Sequence, residues 1–331
     1  MEFSELADLA GAHAAARAIQ VALKLELFER LSGGPLGSDQ IAGAIGCDPR
    51  ALGLLINAMV ALGLLEKNAD GIGLTPGARR FLLASSPEYL GGMILFEEAI
   101  FPLWARLEDS IRCGKPARTP DMYQRNPEET RLFIRAMDSL VRARGDAVWM
   151  AENVDLSGVR AIADVGGGPG TYLVEFMRRL PRLRGAILDL PATLAVTRKI
   201  FSERDDVPRR IELIEYDYST HELPSGFDAI LLSNIIHSED EAANRALFAR
   251  CYRGLEAGGI VIVKDHVMNA ELTEPAAGAI FSLYLLLTTP GRDYSFDEIA
   301  RWLRESGFTD IRCRALPSPP FNSSVVTARK I

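Results

Sequence analysis

Positive charge, paired cysteines and long apolar runs are all scarce in this 331-residue chain. Its 37 lysines and arginines are outnumbered by 44 acids, for a formal net charge of −7 and a pI near 5.3. A polyanion would find no counter-charge here, so no nucleic-acid partner is expected. The four cysteines, Cys47, Cys113, Cys251 and Cys313, lie far apart and none forms a C-x-x-C pair. That suggests neither a disulfide framework nor a zinc site and predicts reduced thiols in a cytoplasmic protein; no metal site is expected. The longest apolar stretch, Ala51 to Leu65, is interrupted by Asn57 and is too short to cross a bilayer. The opening residues Met1-Glu-Phe-Ser-Glu lack the basic and apolar segments of a signal peptide. No membrane partner is expected either.

What the chain does have is apolar content of 48% over a length that exceeds one comfortable core, so two domains are predicted. Leu6 to Leu31 repeats Ile19, Leu23, Leu27 and Leu31 every four residues and reads as one or two helices. A short helix follows from Ser38 as cap, then a third over Arg50 to Leu62, opened by Asp48-Pro49. Asn68-Ala-Asp-Gly71 between two apolar segments signals a hairpin. Helices followed by a hairpin make a winged helix, usually a DNA reader. Its recognition helix, however, carries a single basic residue, Arg50, and almost no polar face, and acids outnumber bases over residues 1–90. Such an apolar helix belongs in a core or an interface.

Glu88 to Ile111 reads as a helix kinked at Pro102, and Asn126-Pro-Glu-Glu opens a long helix to Asn153. The second half is organised by Ala161-Ile-Ala-Asp-Val-Gly-Gly-Gly-Pro-Gly170: a buried strand, a glycine loop, then a helix from Thr171. Bare backbone at Gly166, Gly168 and Gly170 admits a ligand close to loop N–H donors. The dinucleotide fingerprint wants a third glycine where Thr171 stands, which disfavours NAD. Two further strands, Arg184 to Asp189 and Ile211 to Ile214, also run into acids, Asp189 and Asp217, the latter beside Tyr218. An acid at Asp189 falls where a ribose would be held. Phe227 to Ser233, a helix over Glu239 to Leu255 closed by Ala257-Gly-Gly259, and Ile260 to Lys264 continue the alternation, which ends in strands at Ile311 to Ala315 and Ser324 to Ala328. This gives a doubly wound α/β sheet. His237 follows strand four and Asp265 follows strand five, so adjacent strands bring an imidazole and a carboxylate to one edge. His266 comes next, but strand alternation should turn it away from Asp265.

The glycine loop, the three acids in order and Ser233-Asn-Ile-Ile-His237 resemble the class I S-adenosylmethionine (SAM) methyltransferases, in particular the small-molecule O-methyltransferases that include caffeate and hydroxyindole enzymes. The resemblance covers most of the chain. It implies a winged-helix-like dimerisation domain over residues 1–110, a helical linker over 111–155 that contributes to a substrate cavity, and a Rossmann-like SAM domain over 156–331. It implies SAM as cofactor, S-adenosylhomocysteine (SAH) as product, a small aromatic secondary metabolite as acceptor, and a homodimer. Asp164, Gly166, Gly168, Gly170, Asp189, Leu190, Asp217, Tyr218 and Ser233 become the candidate cofactor residues. Phe133 and Met137 match an F-x-x-x-M pattern and become candidate acceptor contacts. His237 becomes the general base, flanked by Asp265 and by Asp293 of Gly291-Arg-Asp293, both Asp where plant members carry Glu, while His237-Ser-Glu239 replaces the family's H-D-W. C- or N-methylation, a SAM-bound enzyme that does not methylate, and a SAM-sensing regulator stand as alternatives.

Overall fold

The computed structural model describes residues 1–317 and 323–331. The chain forms two compact units, Met1–Phe101 and Pro102–Ile331. In the first, α1 (Phe3–Lys24), α2 (Leu27–Arg30), α3 (Ser38–Ile45) and α4 (Pro49–Ala61) precede a hairpin of β1 (Leu65–Asn68) and β2 (Gly71–Leu74), and α5 (Pro76–Leu82) closes the unit. Asp48 caps α4 by accepting from the Ala51 N–H at 2.8 Å, with Pro49 at the first helical position. Ser38 is not the cap of α3: Gly37 takes that position, and its N–H donates to Gln40 Oε1 at 2.8 Å. Phe28, Leu31, Ile41, Ile56 and Met59 form the core of this unit. Leu54 of α4 and Phe3, Leu6 and Leu9 of α1 stay exposed.

The helix α6 (Gly91–Trp104) carries Pro102 in its last turn, and α7 (Leu107–Cys113) starts after a break. The long helix expected to Asn153 is two: α8 (Pro127–Arg144) and α9 (Asp146–Asn153). Gly145, at φ +71°, ends one and begins the other, because a left-handed residue cannot continue an α-helix. These helices belong to the second compact unit, where α8 packs on α11 (Pro191–Ser202) and α9 on α10 (Thr171–Arg179).

The sheet of this unit follows as β3 (Ala161–Val165), β4 (Arg184–Asp189), β5 (Ile211–Glu215), β6 (Phe227–Ser233), β7 (Leu255–Met268), β8 (Tyr294–Ser295), β9 (Thr309–Ala315) and β10 (Ser323–Arg329). Their order is β5-β4-β3-β6-β7-β10-β9, with β8 paired to β7. The first five are parallel, and β10 enters antiparallel between β7 and β9. Every residue of β3 is buried, as befits a central strand covered on both faces. The helix α12 (Glu241–Gly254) stops before Ala257-Gly-Gly259, which lies inside the longer β7. Two more helices complete the fold, α13 (Ala276–Thr288) and α14 (Phe296–Glu305). Among the described residues no single helix is long and apolar enough to cross a membrane.

Candidate active site

At the carboxyl edge of the parallel strands, the chain leaves β3 through Gly166, Gly168 and Gly170, all at positive φ. Gly170 has no alternative: a Cβ there would press on Ile187 at 2.5 Å and Phe201 at 2.9 Å. Gly168 is different, since a Cβ would meet only Ile134 at 3.8 Å, so its open side faces a cavity of about 300 Å³. The Gly168 N–H donates to Asp189 Oδ2 at 2.8 Å, and the Leu190 N–H to Oδ1 at 2.7 Å. Burial pushes Asp189 up to about 6 despite these bonds, and each oxygen keeps a lone pair for a ligand. Asp217 lies on the same wall; burial raises it, but bonds from the Ser219 hydroxyl and N–H outweigh that and hold it below its ordinary value. Tyr218 donates its hydroxyl to Glu239 Oε1 at 2.8 Å, and burial, then Glu239, keep it a neutral phenol.

A second cluster forms one strand spacing along the edge. His237, in a short 3-10 turn over Ile236–Ser238, has Nδ1 2.6 Å from Asp265 Oδ1. Burial opposes charge on the imidazole, yet the Asp265 carboxylate and, behind it, Asp293 outweigh this and raise His237 above its ordinary value. Burial also works against the charge on Asp265, but His237 and its hydrogen bond hold that carboxyl below its usual range. Because Asp265 is ionised, Nδ1–H is the donor and Nε2 is left as a proton acceptor. Asp293 sits with Oδ1 4.0 Å from His237 Nδ1 and Oδ2 3.3 Å from His266 Nδ1. Burial, reinforced by Asp265, pushes Asp293 up to about 8, and burial with Lys264 pushes His266 down to about 3. Asp293 thus bridges the strand alternation expected to keep His266 apart, and both imidazoles present their rings to the edge of Phe281 at 5.2 and 5.1 Å. Side-chain donor atoms of His237, Asp265 and Asp293 lie within 4.8 Å of one another, and the closest contact is a hydrogen bond.

A family profile described as the O-methyltransferase domain matches residues 104–309, and one described as the O-methyltransferase dimerisation domain matches residues 7–84. The chain belongs to the O-methyltransferases. It is 33% identical to the 3-hydroxy-5-methyl-1-naphthoate 3-O-methyltransferase of Streptomyces sahachiroi, over 97% of this chain and 93% of that one. It is 31% identical to the tetracenomycin polyketide synthesis 8-O-methyl transferase TcmO of Streptomyces glaucescens, over 95% and 94%. Its fold superimposes on human N-acetylserotonin methyltransferase in complex with SAM with a TM-score of 0.90, at 23% identity over 99% of this chain and 97% of that one. The protein is therefore a SAM-dependent methyltransferase, and the reading as a regulator falls away.

Within this methyltransferase the cavity wall includes Gly166, Gly168, Asp189, Leu190, Asp217, Tyr218 and Ser233, together with Phe133 and Met137 of α8. Asp164 and Gly170 are not part of it. Asp164 is fully buried beneath the loop, against the α-carbon of Gly167, and burial, then the charge of Asp189, push its carboxyl up to about 8. His237, Asp265 and Asp293 also lie off this wall, joined to it through Ser233 and Lys264, which pair across β6 and β7 just before His237 and Asp265.

Other groups on the wall were not expected there from sequence: Gln124, Arg144, Tyr172, Thr193 and Lys264, with Thr171 and Glu239, which were noted only as departures from motifs. For Lys264 a signal existed, a lone cation closing the apolar run Ile260 to Val263. From Phe133 an aromatic chain leads toward the base: Phe133 stacks on Tyr123 at 4.7 Å, the Tyr123 and Tyr284 hydroxyls meet at 2.5 Å, and Tyr284 lies 5.4 Å from Phe281.

Proposed function

We propose that this enzyme methylates a hydroxyl group on a small aromatic acceptor, with His237 as the general base. SAM, when bound, supplies a methyl group made electrophilic by its sulfonium. Asp189 has the free lone pairs to accept from two ribose hydroxyls, Asp217 to accept from the adenine amine, and Tyr218 offers a ring face. Gly166, Gly168, Leu190 and Ser233 line the remaining length of the donor. What the enzyme must add is alignment and the removal of one proton, because a phenol with a pKa of about 10 is a poor nucleophile at neutral pH. The observation that carries the reading is the buried 2.6 Å bond between His237 and Asp265, which fixes the tautomer with Nε2 as acceptor and stabilises the imidazolium formed on proton uptake. Asp293 packs behind the ring as a second positioning group. Aromatic neighbours from Phe133 to Phe281 suit a flat, fused-ring acceptor, as do the naphthoate and polyketide acceptors in the names of the two Streptomyces relatives.

The exposed apolar residues Leu9 of α1 and Leu54 of α4, within the dimerisation profile, and Phe3 and Leu6 just before it, support a homodimer. The free thiols Cys47, Cys113, Cys251 and Cys313 fit a reducing, cytoplasmic setting. Transfer of labelled methyl to a panel of phenols tests the function. His237→Gln should retain SAH binding and cut turnover by about 10² to 10⁴. Full turnover of a weakly acidic phenol by that variant would rule out base catalysis by His237.

A further inference from the structure

Lys264 is a fully buried lysine on a strand, and acid–base catalysis at His237 has no use for it. Its ammonium lies 3.1 Å from Asn234 Oδ1 and 3.4 Å from Asp146 Oδ2. That carboxylate is shared with Arg144, whose Nε is 3.0 Å away. Two cations on one carboxylate leave positive charge at this place, and both cations line the donor cavity. The charged groups acting on Lys264 are Arg144, Asp146 and Asp265. Burial, with Arg144, pushes its amine down to about 8, so the ammonium is held in a setting that an added anion would relieve. Asp265 is the other carboxylate acting here, but its Oδ1 is already engaged by His237 at 2.6 Å and by the His266 N–H at 2.9 Å. Beside the ammonium, the buried hydroxyls of Ser233 and Tyr172 make no hydrogen bond of good geometry to another described residue.

The sheet order fixes where this patch falls. The adenine and ribose acids follow β5 and β4, the glycine loop follows β3, and Lys264 stands on β7, two strand spacings or about 10 Å beyond the loop. A donor with its nucleoside over β5 and β4 therefore extends its amino-acid end toward Lys264.

We infer that Lys264, with Arg144 beside it, forms a carboxylate subsite at the end of the donor cavity, where it receives the α-carboxylate of SAM. The inference rests on the donor placement proposed above. A carboxylate borne by the acceptor is the other source of the same chemistry, and the test separates the two. Lys264→Met keeps the length of the stem, removes the charge and leaves Arg144 paired with Asp146. Calorimetry with SAH and with 5′-methylthioadenosine, which keeps the nucleoside but lacks the amino-acid end, gives one arm. Lys264→Met should weaken SAH by about 10- to 100-fold and 5′-methylthioadenosine by less than about twofold, with Lys264→Arg recovering much of the loss.

If SAH affinity is unchanged but KM rises for a hydroxynaphthoate and not for the matching naphthol, the subsite stands and the acceptor supplies the carboxylate. Equal weakening of SAH and 5′-methylthioadenosine would show a merely structural lysine and overturn the inference. So would no change in SAH, hydroxynaphthoate or naphthol. Weaker binding of 5′-methylthioadenosine by Asp217→Ala enzyme than by wild type would support the donor placement; affinity untouched by that change would refute the placement, and this inference with it.

Discussion

At His237 the chemistry depends on where the ring titrates. Asp265 and Asp293 raise it above its ordinary value, and the base works only when neutral, so turnover should climb with pH through a limb lying above about 6.5. Asp265→Asn removes the charge that favours imidazolium. The limb should then move to lower pH while turnover falls, and a pH–rate profile of the two proteins reads both effects. A limb unmoved by that change would mean that the profile reports some other group. Asp164 makes a different prediction. Its folded value near 8 lies above the ordinary carboxyl value, so the folded state holds the proton more tightly and stability falls as pH rises between about 4 and 8. Asp164→Asn cannot titrate, and melting temperatures across that range should decline less steeply in the variant.

Elements with a strong period or a named stop were legible in the sequence, and those defined by contact were not. The strands ending at Val165 and Asp189 read directly because each is a short apolar run closed by glycine or an acid. The helix α13 left no such mark: Ala276-Ala-Gly-Ala-Ile-Phe-Ser-Leu-Tyr-Leu-Leu-Leu-Thr288 is apolar almost all round, so no face stands out. It nevertheless brings Phe281 to the base and Gly278 against Asp293 and His266. What Lys264 faces was equally hidden, since a single polar residue has no period and only the pairing of β6 with β7 shows its surroundings. The break at Gly145 offers a clean test of backbone against packing. A Cβ there would touch nothing within 4 Å, so Gly145→Ala should lose only the left-handed preference, about 1 kcal/mol in chemical denaturation. A loss several times larger would mean that the α8–α9 junction does more than turn the chain.

For the molecule as a whole, the proposed division of labour follows strand order: Asp189 ends β4 and Asp217 follows β5, while His237 comes after β6 and Asp265 lies on β7. The N-terminal unit is read differently, through what it leaves uncovered. Phe3, Leu6 and Leu9 are 88%, 58% and 64% exposed, more apolar surface than one short helix stretch keeps in water without a partner. Leu6→Glu with Leu9→Glu should convert a dimer to a monomer in sedimentation at micromolar concentration; a wild type that is already monomeric would contradict the homodimer. The placement of β10 has a consequence in time. This strand, Ser323–Arg329, follows β9 in the chain yet lies between β7 and β9, with Ser324 opposite Asp265 and Ser323 opposite His266. During synthesis, therefore, the strand that carries the partner of His237 waits with an open edge until Ser323–Arg329 has emerged.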